Sequence, residues 1–126
     1  MIGLKFRDER ILLESLVHSS YVNEHPDETP LSNERLEFLG DAILDFLVAA
    51  HLHTTHPEMS EGDLTASRAV LVNGDNLAAI ARTLNLGDHI LLGQGEFVNG
   101  GKNRNSTLAG ALEALIGAIY IDSGLD

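Results

Sequence analysis

The sequence contains no cysteine and few aromatic residues. Without cysteine, the chain can form neither a disulfide framework nor a thiolate metal site, and it has no cysteine nucleophile. Because aromatic residues make up only 5% of the chain, the core must consist mostly of leucine, isoleucine, valine and alanine. The missing cysteines are compatible with a reducing compartment, which favours a cytoplasmic location.

Long apolar runs are absent as well. No segment approaches the roughly 20 consecutive apolar residues that a membrane-spanning helix requires, and the N-terminus reaches charged side chains too soon for a signal peptide. A chain of 126 residues fits one domain. We therefore expect one soluble domain over residues 1–126, without a membrane partner.

Cations are few compared with acids. Eight lysine and arginine residues stand against 19 aspartate and glutamate residues, which gives a formal net charge of −11 at pH 7. Such a charge repels a polyanion unless metal ions or a local basic strip intervene. Taken alone, the charge argues against nucleic acid as a partner.

Apolar residues recur at helical spacing along most of the chain, which predicts an all-α fold. The segments with this spacing are residues 8–21, 33–53, 60–72, 73–85 and 106–123. Ser32 and Ser60 are suited to cap the helices that follow them. Residues 33–53 and 106–123 are apolar on most sides, which is typical of buried helices. Residues 86–104 are rich in glycine and predict a loop with at most brief extended structure.

Three carboxylates share one face of the helix predicted at 33–53. Glu34, Glu37 and Asp41 fall within roughly 60° of one another, because successive helical residues turn by about 100°. Clustered carboxylates repel one another and lose hydration, and either a hard cation or an arginine relieves this. The spacing therefore leaves two interpretations open: a metal site, or an ion-pair network with Arg35 and Arg68 at the start of a helix.

Glu113 is the sole carboxylate within the apolar segment ALEALIG. If the two apolar helices pack together, Glu113 can join Glu37 and Asp41 in an oxygen-rich site of the kind that Mg²⁺ accepts. Gly110 and Gly117 flank Glu113 on the same stripe of the helix, where they would let the two helices approach closely. The alternative for both glycines is a role in packing only.

The segment NERLEFLGDAIL, residues 33–44, is similar to the signature of the bacterial ribonuclease III catalytic domain. Further similar segments follow the family's order: LVHSSY before it, then SEGDLTASRAVLVN, LLGQGE and LEALIGAIYID. The resemblance implies an all-helical bundle that forms a symmetric homodimer with a cleft for double-stranded RNA. It also implies Mg²⁺-dependent hydrolysis, with Mn²⁺ as an alternative ion and no nucleotide cofactor. Its products would carry 5′ phosphates and short 3′ overhangs, in the processing of RNA, including ribosomal RNA.

The resemblance implies roles for individual residues. The residues that match the family's metal ligands are Glu37, Asp41 and Glu113, of which Asp41 and Glu113 are also the expected catalytic residues. Further acids expected to line the cleft are Glu34 and Glu61. Phe38 matches a residue that inserts into the partner subunit. The candidate RNA contacts are Arg68, Lys102 and Arg104, although Arg68 could equally pair with an acid.

The sequence departs from the family's pattern in two ways. Gly110 stands where the family usually has an acid, three residues before Glu113. We expect water or the side chain of Asn103 or Asn105 to take the vacant coordination position. The alternative is a catalytically impaired relative that keeps only dimerisation and duplex binding. The second departure is the lack of the family's basic double-stranded-RNA-binding domain, so the chain resembles a catalytic domain truncated from a longer protein.

Overall fold

Helices form nearly all the regular structure in the computed structural model, which describes residues 6–27 and 31–124. The α-helices are α1 (Glu9–Ser15), α2 (Ser19–Glu24), α3 (Glu34–Thr55), α4 (Glu61–Leu71), α5 (Gly74–Thr83), α6 (Gln94–Val98) and α7 (Asn105–Ser123). Two 3₁₀ turns, Leu86–His89 and Gly101–Asn103, flank α6. In these ranges the extended pairing is confined to one bridge between Val17 and Leu91. The predicted all-α class is confirmed.

Helix α7 is the central helix, and α1, α3 and α5 pack around it. Its Leu108 and Leu115 are almost fully buried, as are Leu77 of α5 and Leu86 of the first 3₁₀ turn. The residues that fill the core are aliphatic or small, as the composition predicts. The prediction that the segment 106–123 is buried on most sides is therefore confirmed.

Glycines set the distance between α3 and α7. A Cβ atom added to Gly40 would collide with the backbone carbonyl of Glu113, and one added to Gly117 would collide with the carbonyl of Leu36. The backbone of each helix thus occupies the space that a side chain would need on the other. Gly117 has the close-approach role expected of it, and Gly40 is the matching residue on α3.

Helix α3 is buried on one side only, so the prediction of burial nearly all round is wrong for the single chain. Leu36 and Leu52 face the core, with exposed fractions of 4% and 5%. On the other side Phe38, Phe46 and Leu47 are exposed by 81%, 59% and 42%. None of the helices in the described part of the chain covers the apolar residues on that side.

The helix predicted at 8–21 is interrupted at Val17. Its neighbours bond across the bridge to a distant segment: the His18 amide donates to the carbonyl of Leu91, and the Leu91 amide donates to the carbonyl of Leu16. These bonds replace helical ones, because each backbone group needs only one partner. The imidazole Nδ1 of His18 then accepts a hydrogen bond from the amide of Ser20 and caps α2.

Several finer expectations also change. Residues 86–104 contain the short helix α6 and two 3₁₀ turns rather than a plain loop. Helix α3 begins at Glu34, two residues after Ser32, whose hydroxyl accepts a hydrogen bond from the Glu34 amide. The Ser60 cap is confirmed, since its hydroxyl accepts from the amide of Asp63. No helix in residues 6–27 and 31–124 is long and apolar enough to cross a membrane.

Replacing Gly40 with alanine should lower the free energy of unfolding by about 3 kcal/mol, because the added methyl group would collide with the backbone of α7. Urea denaturation followed by circular dichroism measures this. Gly74→Ala is the matched control, since a Cβ atom there would have no heavy atom within 4 Å. Equal stability of the Gly40 variant and the native chain would contradict the close crossing.

Candidate active site

The crossing of α3 and α7 brings four acids to one open pocket of about 470 Å³. Its lining residues are Glu34, Glu37, Phe38, Asp41 and Glu113. Three acids project from successive turns of α3, and Glu113 comes from α7 because its backbone rests against Gly40. We call this set the acidic pocket. The expected meeting of Glu113 with Glu37 and Asp41 is what the structure contains.

The carboxylates of the acidic pocket perturb one another. Burial raises the pKa of Glu113 to about 8, and a hydrogen bond to Asp41 and the charges of Asp41 and Glu37 add to this rise. Burial also raises the pKa of Glu37, with further contributions from the charges of Glu34 and Asp41. Half-buried carboxylates whose pKa values are raised in this way are the donor set whose repulsion a hard cation relieves.

Arginine does not neutralise the acidic pocket. In residues 6–27 and 31–124 the ion pairs are Arg10–Asp8, Arg104–Glu96 and, when the histidine is protonated, His56–Glu58. Arg35 lines a different pocket, and its charge acts on Glu14. The ion-pair network left open by the spacing is therefore not formed among the described residues.

The carboxylates share one pocket but do not converge on one point. Among the described residues, no three acidic or histidine side chains are placed to hold a metal ion together. The carboxylate of Glu37 lies over Gly110, with Oε2, Cδ and Oε1 at 2.9, 3.1 and 3.2 Å from the position of a Cβ atom built there. The residues thus fit a hard cation by their chemistry, and at least one carboxylate must turn before three of them can bind it together.

Neither Asn103 nor Asn105 replaces the acid that is missing at Gly110, so the asparagine part of that expectation is wrong. The side-chain oxygen of Asn105 accepts a hydrogen bond from Arg82, and its amide nitrogen donates to Asp75 at 2.9 Å. Asn103 lies beside Arg82, which donates to its backbone carbonyl at 2.9 Å. Both asparagines serve the contact between α5 and the start of α7, away from the acidic pocket.

Glu61 and Arg68 lie in a separate groove between α3 and α4. Together with His53 they line a pocket of about 340 Å³, so Glu61 does not join the other acids within a single chain. The other two candidate RNA contacts lie near α6. The ammonium group of Lys102 lies 5.7 Å from the ring centre of Phe97, and the guanidinium of Arg104 pairs with Glu96 at 2.6 Å.

Sequence reasoning missed two residues that act on the acidic pocket from outside its lining. Asp45 adds to the rise in the pKa of Glu113, and its place four residues after Asp41, on the same helical face, could have indicated it. Asn33 is 5% exposed and anchors the start of α3, since its amide nitrogen donates to the carbonyl of Ser15 at 3.2 Å. No sequence pattern signalled that long-range contact.

Stability should fall as the pH rises, because the pKa of Glu113 is about 8 in the folded chain and near 4.5 when unfolded. Between these values the folded protein holds a proton that the unfolded chain releases, so alkali favours unfolding. Since water screens this half-exposed group, we expect a loss of about 1–2 kcal/mol between pH 5 and pH 9.

Urea titrations in a metal chelator measure this loss, and Glu113→Gln should remove most of it because glutamine stays neutral. The exposed variant Asp88→Asn serves as the control and should keep the native profile. Parallel profiles for the native chain and Glu113→Gln would contradict the assignment.

Comparisons with known proteins agree on one family. A family profile described as ribonuclease-III-like matches residues 8–126. The curated proteins named ribonuclease 3 from Symbiobacterium thermophilum and Myxococcus xanthus are each 50% identical to this chain over 125 residues, or 99% of it. These matches cover 52% and 48% of the two proteins, so the chain spans about half the length of the curated relatives it matches.

Solved structures agree with the sequence matches. A structure of the nuclease domain of ribonuclease III from Campylobacter jejuni matches with a TM-score of 0.90 at 45% identity, covering 98% of this chain and 82% of that one. A second structure of the same domain gives a TM-score of 0.88, also at 45% identity, covering 98% of this chain and 80% of that one. The first is described as showing structural flexibility in a region involved in dimer formation.

Proposed function

The chain belongs to the ribonuclease-III-like family, and from this membership we propose that it is the nuclease domain of an Mg²⁺-dependent endoribonuclease that cleaves double-stranded RNA. The observation that carries the proposal is the meeting of Glu37, Asp41 and Glu113 in one pocket without a neutralising arginine among the described residues. We place its role in RNA processing, including that of ribosomal RNA, in the cytoplasm.

Glu37, Asp41 and Glu113 would hold the cation, with Glu34 at the rim of the pocket. A bound Mg²⁺, or Mn²⁺ in its place, would polarise the phosphate, lower the pKa of a water molecule and stabilise the leaving oxygen. The pKa of Glu113 is raised to about 8, so Glu113 would hold a proton at neutral pH that a bound cation would displace. The pocket is wide enough, at about 470 Å³, to admit a phosphate of the RNA backbone.

The exposed side of α3 supports a homodimer. Phe38 is 81% exposed and stands beside an apolar pocket of about 530 Å³ whose lining includes Leu36, Leu39 and Ile121. In a symmetric dimer each Phe38 could enter the partner's pocket, which pairs the same patch with itself. Two acidic pockets related in this way would cut the two strands of a duplex, leaving 5′ phosphates and short 3′ overhangs.

Phe38→Ala should weaken this dimer at least about tenfold, because it removes a large aromatic anchor from the interface. Sedimentation velocity over a range of protein concentrations measures the change. Phe97→Ala is the control, since Phe97 is 58% exposed on α6, away from α3. A native chain that stays monomeric, or a dimer indifferent to the Phe38 substitution, would contradict the proposed interface.

The surface charge must be overcome for RNA to bind. Lys102 and Arg104 near α6 and Arg68 beside α4 are the proposed contacts to the phosphate backbone. We also propose that the parent protein is longer and carries a basic double-stranded-RNA-binding domain, because the curated relatives are about twice as long as this chain.

The native chain should cleave long duplex RNA in the presence of Mg²⁺, whereas Glu113→Gln should be at least about 100-fold slower, since it weakens the group that holds the cation. Gel analysis of a labelled duplex of at least several helical turns measures the rate. Asp88→Asn, an exposed acid outside the acidic pocket, should cleave at the native rate.

A second candidate function is favoured by Gly110, which leaves the acidic pocket one carboxylate short of the family's pattern. In that case the chain dimerises and binds duplex RNA but does not cut it. The same assay separates the two functions when it is paired with a gel-shift measurement. Duplex binding without any Mg²⁺-dependent cleavage by the native chain would exclude the endonuclease and support the binding module.

A further inference from the structure

Gly110 is the position on α7 against which the carboxylate of Glu37 rests. The two oxygens and the carbon of that carboxylate lie 2.9–3.2 Å from the position that a Cβ atom on residue 110 would occupy. Real Cβ atoms rarely have neighbours this close, so any side chain at position 110 must displace Glu37. The absence of a side chain is therefore what allows Glu37 its present conformation.

Gly110 differs in kind from the other close glycines of the core. A Cβ atom at Gly40, Gly87 or Gly117 would meet backbone atoms first, which cannot move without shifting a helix or a turn. At Gly110 every one of the nearest atoms belongs to the flexible end of one side chain. Alanine at position 110 can therefore be accommodated by a rotation of Glu37 alone.

The surroundings determine where Glu37 would go. It lines both the acidic pocket, of about 470 Å³, and a neighbouring pocket of about 200 Å³. The smaller pocket is lined by Gly110 itself and by the buried residues Asn33 and Thr107, so a methyl group at position 110 narrows it further. The larger of the two spaces beside Glu37 is the acidic pocket, which Asp41 and Glu113 also line.

We propose that Gly110 is a positioning residue for the cation site: it lets the carboxylate of Glu37 rest against the backbone of α7 instead of converging with Asp41 and Glu113, so that Glu37 must turn before all three carboxylates can bind a divalent cation. This proposal rests on the proposed function, since it assumes that a cation binds in the acidic pocket. It accounts for four acids sharing a pocket in which no three of the described acids converge. A methyl group at position 110 would confine Glu37 to the binding side before the cation arrives.

Titration calorimetry with Mn²⁺ tests the proposal without relying on catalysis. Gly110→Ala should bind Mn²⁺ roughly three- to tenfold more tightly than the native chain, because the ordering of one flexible side chain is completed in advance. Gly74→Ala, a helical glycine with open space around it, should bind like the native chain. Thermal melts should show Gly110→Ala to be folded and close to the native chain in stability, because the higher helix propensity of alanine offsets the added repulsion among the carboxylates.

A double-mutant cycle tests whether the effect acts through Glu37. In a Glu37→Gln background, which weakens Mn²⁺ binding, the added Gly110→Ala substitution should make no further difference. Tightening that persists without the Glu37 carboxylate would overturn the proposal, as would equal or weaker binding by Gly110→Ala in the native background. An unfolded Gly110→Ala variant would also overturn it, because only the end of Glu37 should need to move.

The outcomes separate this proposal from the function on which it rests. If the native chain and Gly110→Ala both fail to bind Mn²⁺, the proposed metal-dependent function fails together with the inference. If the native chain binds Mn²⁺ and loses that binding with Glu113→Gln, the function stands. The inference then fails alone when the substitution of Gly110 changes nothing.

Discussion

The close crossing of α3 and α7 is the constraint on which the rest of the structure depends. The two backbones touch at Gly40 and Gly117. The backbone of Glu113 lies against Gly40, which is the residue next to Asp41 in α3. A wider crossing would separate the carboxylates of the two helices. The same contact buries α7 at the centre of the molecule, where α1 and α5 complete its surroundings. Core packing and the acidic pocket are thus consequences of one helix contact.

That contact brings like charges together. Burial and mutual repulsion raise the pKa values of Glu37 and Glu113, and no arginine in the described part of the chain offsets this. Such a cluster of carboxylates lowers the stability of the metal-free protein and favours the binding of a cation. Gly110 reduces this repulsion, because the carboxylate of Glu37 can rest against the glycine instead of converging with Asp41 and Glu113. The absence of a side chain at Gly110 therefore removes one carboxylate from the pocket and also changes the conformation of Glu37, which remains.

Local patterns in the sequence predicted the features that depend on neighbouring residues: the positions of helices, one helix cap and one helical face. The apolar spacing located α3 and α7, Ser60 was recognised as a cap, and the carboxylate face of α3 followed from helical geometry. These local patterns could not predict contacts between segments that are distant in sequence. The break at Val17 depends on Leu91, and the placement of Asn105 depends on Arg82. The exposed side of α3 was misjudged because apolar residues that lie exposed on the single chain look the same in sequence as residues buried within it.

The most direct test of the metal site is a crystal structure of the chain grown with Mn²⁺, with anomalous scattering used to locate the ion. We expect one anomalous peak in the acidic pocket, from an ion bonded to carboxylate oxygens of Asp41 and Glu113, with Glu37 turned away from Gly110 to join them. A chain that binds Mn²⁺ elsewhere, or whose Glu37 still rests over Gly110 beside a bound ion, would contradict it.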